Sequence, residues 1–399
     1  DYFGEFKRAE DRLRNIREQA EKQLRSLVDD RSVAIKSLDE RRRAKRWTWV
    51  VIQQAMAHYR SAQFDRAMSL LRLCESACLK SIQNAPHYSC FGTLAKIHYG
   101  IALTYRERAN YPMAKRYFSS SLEYAWQSLN EKAGPGATAA SFRQARWTDV
   151  SIARALSLGL GFVYHAEGQP GLSLAFLLAA KNTLARLGEV LISTYADLIY
   201  FNARRAAEGG LPEVLDEAID GLNRCYNTFK VQGHVLYRMR AAHSLALAYT
   251  QRARPDESLP LTLTDQEDLD AAERLCNELE QYTVDTGDSR SELYSLLCRS
   301  RIELKRGNPD SSAAFATKAL DSGGDAHPVV RVDALIARAE ANIRTGDLDK
   351  WEHAVDDLKE AIRKNEGNPR LLAVCLLRLT QIYAGTGRST SAKEEFDRW

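Results

Sequence analysis

The sequence predicts an all-α protein built as an array of helical hairpins, and three observations carry that prediction. Apolar residues recur at helical spacings of three and four along the chain and do not alternate as they would in a half-buried strand. The stretch from Leu160 to Ala180 then reads as one hairpin. Leu160, Gly161 and Tyr164 mark a first helix and Gly168 stops it; Pro170 opens a second helix, with Ser173, Leu177 and Ala180 as its small-to-apolar face. The same frame returns through the rest of the 399 residues. Hairpins stacked in this way bury their cores against neighbours only, so the chain need not divide into the globular domains its length would suggest.

That frame, from Leu160-Gly161 through Tyr164, Gly168 and Pro170 to Ala180, resembles the tetratricopeptide (TPR) repeat, a helical hairpin of about 34 residues. The resemblance covers nearly everything after residue 47. It implies a right-handed TPR-like α-solenoid, a superhelix of helical hairpins, preceded by a long N-terminal helical segment at 1–46.

Residues 1–46 form the first element. Phe6, Ala9, Leu13, Ile16, Ala20 and Leu27 keep a narrow apolar seam on a heavily charged rod, as in a coiled-coil helix. The segment holds fourteen Lys/Arg against ten Asp/Glu, so the whole net charge of +4 sits there and the remainder is neutral. Such a seam caps the first repeat, docks into the array's own groove, or pairs with a second copy; oligomeric state stays open. Arg41-Arg42-Arg43-Ala44-Lys45-Arg46 then meets Trp47 and Trp49. A basic run beside aromatics suits phosphate backbones, and a solvated helix end before two anchoring indoles is the plainer account.

Eight degenerate repeats follow over 47–399. Ala55, Phe64, Ala67, Leu71 and Cys74 carry the first; Ile101-Ala102, Tyr105, Tyr111, Ala114 and Phe118 carry the second. A flexible connection is expected at about 131–144, around Ala133-Gly134-Pro135-Gly136-Ala137, before the Leu160 hairpin. In the fourth, Phe201-Asn202, Arg205, Gly209 and Ala218 keep the spacing, with Arg205 where an aromatic belongs. Leu245-Ala246 and Tyr249 open the fifth, and a surface insertion is expected at about 252–268. Ser300, Gly307, Pro309 and Ala316 mark the sixth; Ala339, Gly346, Ala354 and Leu358 the seventh, with extra residues near Trp351; Leu379, Tyr383, Gly387 and Ala392 the eighth. The chain runs from Asp1 to Trp399, midway along a second helix, which is expected of a piece of a longer protein.

Composition bounds the function. Hydrophobic content is 45%, ample for a core. No apolar run reaches the roughly 20 residues of a membrane span, so no membrane partner is expected. Seven cysteines without a Cys-x2-Cys pair, and no secretory leader, fit a reducing, cytoplasmic setting. Cys74, Cys78, His87 and Cys90 are the one cluster with metal-ligand types, although helical-repeat cores also use cysteine as a small apolar filler. No zinc-protease, phosphate-loop or nucleophile-elbow motif occurs. The histidines are dispersed, with His58, His98 and His243 on first helices in packing positions. Neither a catalytic residue nor a cofactor is expected.

The resemblance instead implies a groove lined by first helices that binds a peptide or a partner helix. Carried onto this sequence, it places Tyr59, Lys96, Tyr99, Arg106, Leu158, Phe162, His165, Ile199, Arg240, His243, Tyr294 and Arg301 there. The centre is apolar and its flanks basic and aromatic, suiting a protein or peptide with acidic groups. The expected role is a regulatory or scaffolding interaction module within a larger signalling assembly. Bacterial peptide-sensing regulators are similar in setting a helical segment before TPRs. Nucleic-acid binding through 41–46, or a regulatory part of an enzyme with its catalytic domain elsewhere, are the alternatives.

Overall fold

The computed structural model describes residues 22, 38–60, 63–84, 90–108, 110–130, 159–167, 169–186, 190–208, 211–253, 260–323, 327–364 and 369–387. Among these residues the regular structure is helical throughout and no strand occurs. The helices are α1 (Leu38–Arg60), α2 (Phe64–Asn84), α3 (Phe91–Glu107), α4 (Tyr111–Asn130), α5 (Phe162–Ala166), α6 (Pro170–Arg186), α7 (Val190–Glu208) and α8 (Pro212–Val231). They continue as α9 (Val235–Arg252), α10 (Leu263–Thr286), α11 (Ser289–Arg306), α12 (Pro309–Asp321), α13 (Pro328–Arg344), α14 (Leu348–Lys364) and α15 (Pro369–Gly385).

Local chemistry sets these boundaries. Five helices (α6, α8, α12, α13 and α15) begin at proline, whose fixed φ and missing N–H cost nothing in a first turn. Thr262 caps α10, accepting from the Asp265 N–H while the Asp265 carboxylate accepts from the Thr262 N–H. Gly307 and Gly346 leave their helices at φ of 84° and 71°, a left-handed conformation that a side chain resists. On α14, Ala354, Val355, Leu358, Ala361 and Ile362 keep one buried stripe, and the other face is charged.

Two compact units result: 1–163 with 171–196, and 164–170 with 197–399. In unit 1, Val51, Ala55, Leu71, Cys74, Leu94, Ile97 and Ile101 make one core between α1, α2 and α3, and α1 also touches α3. In unit 2 each helix from α8 to α15 packs on the next. The first helices α9, α11, α13 and α15 also touch in succession, so they form a continuous layer of their own. Leu269, Cys276, Cys298 and Ile302 fill the core at one stage of that stack, and Leu335, Leu358, Cys375 and Leu379 at another.

Two glycines permit unusually close crossings. Gly159 opens a π-helical turn over 159–161, and a Cβ there would lie 2.4 Å from the buried Phe118 ring. Gly221 on α8 faces the Phe201 ring of α7 at a distance that would put a Cβ 2.3 Å away. The hairpin around Leu160 keeps its expected stop and restart, and the Ser173 hydroxyl donates to the Gly161 carbonyl at 2.6 Å. Extra residues of the seventh repeat are used as an anchor: Trp351 Nε1 donates to the Ile343 carbonyl at 3.0 Å.

Several sequence boundaries meet the structure as follows. α1 runs unbroken across residue 46, and apart from it only Lys22 of the 1–46 segment is described, so the seam lies outside the described residues. The connection at 131–144 also lies outside them. Of the stretch at 252–268, the part from Leu263 onward is the start of α10, and Asp268 there is buried against Arg252.

Candidate functional site

The first-helix face of unit 1 turns its charges on itself. Tyr59, on α1, donates its hydroxyl to Glu107 Oε1 at 2.8 Å. Arg106 Nη2 donates to the same Glu107 oxygen at 2.6 Å and to the Tyr59 hydroxyl at 3.1 Å. The guanidinium also lies 4.7 Å over the Phe162 ring. Arg106, expected as a reader of acidic partners, is therefore neutralised within the unit. Tyr99 is half-buried 5.8 Å from the Phe118 ring, and Lys96 is exposed. Leu158 lies outside the described residues.

A second cluster in unit 1 joins α2, α3 and α4. Glu75 lies 2.7 Å from Arg72 and 2.9 Å from His98 Nε2. That last approach is short but poorly aligned, and neither ring nitrogen of the buried His98 completes a hydrogen bond. His98 sits between Tyr117 and Tyr124, and Arg72 covers the Tyr117 ring. Burial pushes the Glu75 carboxyl up, but His98 and Arg72 outweigh it and hold the group below its ordinary value. The cluster is not legible in the sequence, because Arg72, Glu75 and His98 sit on two repeats and meet only once α2 is docked on α3.

Of the metal-ligand candidates, Cys74, Cys78 and Cys90 are buried, and His87 lies outside the described residues. Cys74 Sγ donates to the Thr48 carbonyl at 3.9 Å and Cys90 Sγ to the Cys78 carbonyl at 3.4 Å. Burial pushes the Cys74 thiol up to about 12 and so keeps it protonated. Among the described residues no group of three or more His, Cys, Asp or Glu converges as a metal site.

The first-helix layer of unit 2 is arranged differently. His243 on α9 stacks on Tyr294 of α11, with centroids 4.1 Å apart and planes 10° from parallel. Arg290 Nε donates to the Tyr294 hydroxyl at 3.0 Å, and its guanidinium lies over that ring. Arg290, Tyr294, Leu297 and Arg301 recur along one face of α11, as Arg240 and His243 do on α9. Ile199 on α7 and His165 on α5 are half-buried within the same unit. Farther along the layer, Arg378 of α15 donates through Nε and Nη2 to Glu340 of α13 at 3.0 and 2.9 Å.

Arginine forks tie the remaining helices of unit 2 together. Arg252 grips Asp268 at 2.8 and 2.7 Å, Arg299 grips Glu280 at 2.6 and 2.9 Å, and Arg338 grips Asp357 at 2.8 and 2.6 Å. Arg205, which stands where an aromatic was expected, bonds Asn202 and Gln251 and so ties α7 to α9.

Repeated hairpins with a continuous first-helix layer define the class of protein: a TPR-like helical-repeat fold. No family model matches the sequence. No curated protein matches it either. The fold is similar to that of a Rap protein complexed with competence and sporulation factor, at TM-score 0.52 and 15% identity over 82% of this chain and 76% of that one. It is similar as well to NprR in complex with its cognate peptide NprX, at TM-score 0.52 and 12% identity over 89% of each chain. A third similar structure is the Rap conjugation gene regulator of plasmid pLS20 with the Phr* peptide, at TM-score 0.53 and 11% identity over 86% and 83%.

Proposed function

We propose that this chain is a regulatory interaction module that binds a peptide or an extended protein segment on a first-helix face of its repeats. The observation that carries the reading is the half-buried His243–Tyr294 stack with arginines on either side of it along α11. Flat aromatic surface with flanking cations suits a peptide side chain and its polar neighbours. The three similar folds named above are each of a protein complexed with a peptide or factor, which supports the same role here.

Binding is favoured over catalysis because most of the charged groups in the described helices are engaged with one another in ion pairs and hydrogen bonds. Among the described residues no helix is long and apolar enough to cross a membrane. A cytoplasmic regulator is the setting we propose.

Selection of 12-residue peptides from a random phage library against the full chain tests the reading. Enriched peptides should bind the Tyr294→Ala chain at least tenfold more weakly, a loss in keeping with removing an aromatic anchor worth about 2 kcal/mol. Asp356→Ala, on the exposed face of α14, should leave binding unchanged. Peptides that ignore Tyr294 but respond to Asp356 would move the site off the first-helix layer.

A further inference from the structure

Resting on the peptide reading, we infer that Arg301 is the anion-reading residue of this face, and that the bound segment places a carboxylate on it. The arginines of α11 differ in their partners. Arg299 is forked to Glu280 and also meets Glu273; Arg306 meets Asp270, Glu273 and Glu303; Arg290 bonds the Tyr294 hydroxyl. Arg301 is equally half-buried, but no carboxylate or other acceptor among the described residues hydrogen-bonds its guanidinium.

Neighbouring acids are already committed. Glu340 on α13 is held by Arg378, and Glu303 on the opposite side of α11 is held by Arg306. Asp333 on α13 has a partner of its own. The side chain that does sit by Arg301 is the Cys298 thiol, which Arg301 and the His243 ring both influence. Arg301 therefore stands on the same face of α11 as the His243–Tyr294 stack, about two helical turns along from Tyr294, with five donors and, among the described residues, no carboxylate to receive them.

A partly desolvated guanidinium without a counter-ion is where an incoming anion gains most. Part of the arginine's hydration is already lost, and the local dielectric is below that of water. A carboxylate matches the planar fork in two parallel bonds. Arg106 in unit 1 has the corresponding charge but spends it on Glu107, so it does not offer the same opening. The ligand class is accordingly an acidic peptide, its carboxylate on Arg301 and a residue about three positions away against the Tyr294–His243 surface.

The test is a charge exchange in the full chain. Twelve-residue peptides selected on the wild type should be enriched in Asp or Glu at one position. Arg301→Glu should weaken them about tenfold or more, the size expected for one charge-assisted bond pair. Replacing the acidic peptide residue with Lys should restore binding to Arg301→Glu alone. Arg274→Glu, exposed on α10, supplies the same charge change away from the face and should alter affinity less than twofold, a surface effect. If Arg301→Glu does not fold to the wild-type helical content, Arg301→Gln is read instead and should give the same loss without the restoration.

Selected peptides that lack acids, or acidic peptides indifferent to Arg301 yet lost on Tyr294→Ala, would overturn the inference and leave the peptide reading standing. A 20-nucleotide oligouridylate bound more tightly than the peptides, and dependent on Arg301, would overturn it in favour of phosphate. No enrichment of any peptide would overturn the peptide reading itself.

Discussion

The two units solve the same problem, joining one helical hairpin to the next, with different chemistry. In unit 1 the charged groups of α1 to α4 are drawn inward among tyrosines: Glu75 beneath His98 and Arg72, Arg106 locked to Glu107 and Tyr59. In unit 2 arginine forks bridge neighbouring helices, from Arg252–Asp268 to Arg378–Glu340. The first arrangement gives a face whose cations are used up. On α11 the second leaves half-buried Arg301, among the described residues, without a hydrogen-bonded acid, while Arg299 and Arg306 beside it are paired. The binding role proposed for unit 2 rests on that arginine rather than on the total number of basic residues.

The strongest way to break the comparison is to damage one unit and watch the other. Phe118 in unit 1 and Phe229 in unit 2 are both fully buried. Phe118→Ala should cost about 3–5 kcal/mol through lost burial and a residual cavity. Hydrogen exchange should then accelerate in α3 and α4 while α11 to α14 keep wild-type protection. Equal acceleration in both regions would mean that the two units unfold as one block.

Close packing gives a smaller effect of the same kind. Gly221→Ala places a methyl group against the Phe201 ring and should destabilise unit 2 by about 1–3 kcal/mol, the usual cost of overpacking. Phe201→Leu in the same chain should recover part of the loss, read from the denaturation midpoint. An unaltered midpoint in Gly221→Ala would show that the crossing relaxes freely.

How far these features were legible in the sequence depends on their range. Helix starts at Pro309 and Pro328 and stops at Gly307 and Gly346 are local, and the spacing exposes them directly. The frame of small and apolar residues located the hairpins for the same reason. Gly161, placed by the frame on a first helix, lies buried with its carbonyl accepting from Ser173. The close approach to Phe118 is made by Gly159, at the start of the π-turn over 159–161. Arg106 and Arg301 look alike in sequence, each basic on a first helix. Only the placement of Glu107, Tyr59 and Phe162 around Arg106 separates them, and that is a matter of side-chain direction and not of spacing.

Acid titration sharpens the contrast further. The Glu75 carboxyl is held below its ordinary value in the folded state. A depressed carboxylate contributes stability that is fully present above its unfolded pKa and is lost as the pH falls through the folded one. Unit 1 should therefore weaken progressively below the ordinary glutamate range of about 4.3, and Glu75→Gln should flatten that slope. The thermal midpoint measured from pH 5.5 down to 3 reads the difference. A variant with the wild-type slope would assign the acid sensitivity to other carboxylates.

The smallest effect belongs to Glu360 of unit 2 and distinguishes the two arrangements by salt. Arg331 beside it holds this carboxyl down against a smaller opposing effect of burial, with Lys364 and Arg363 adding to the pull. The sign is the same as for Glu75: stability is present above the unfolded pKa and lost on acidification. The setting differs, because the Glu360 side chain keeps 29% of its surface and Glu75 only 12%. At 1 M salt the screening length falls to about 3 Å, comparable with the Arg331–Glu360 separation of 2.8 Å. Exposed charge lets that screening act, whereas the rings of Tyr117 and Tyr124 shield the Glu75 cluster. Glu360→Gln should thus cost at most about 1 kcal/mol at pH 7 in 0.05 M salt, and much less in 1 M. Glu75→Gln should lose the same stability at both salt concentrations. Parallel salt responses in the two variants would show that the Glu75 cluster is as open to solvent as the Arg331–Glu360 pair, and the contrast between the two would fall with them.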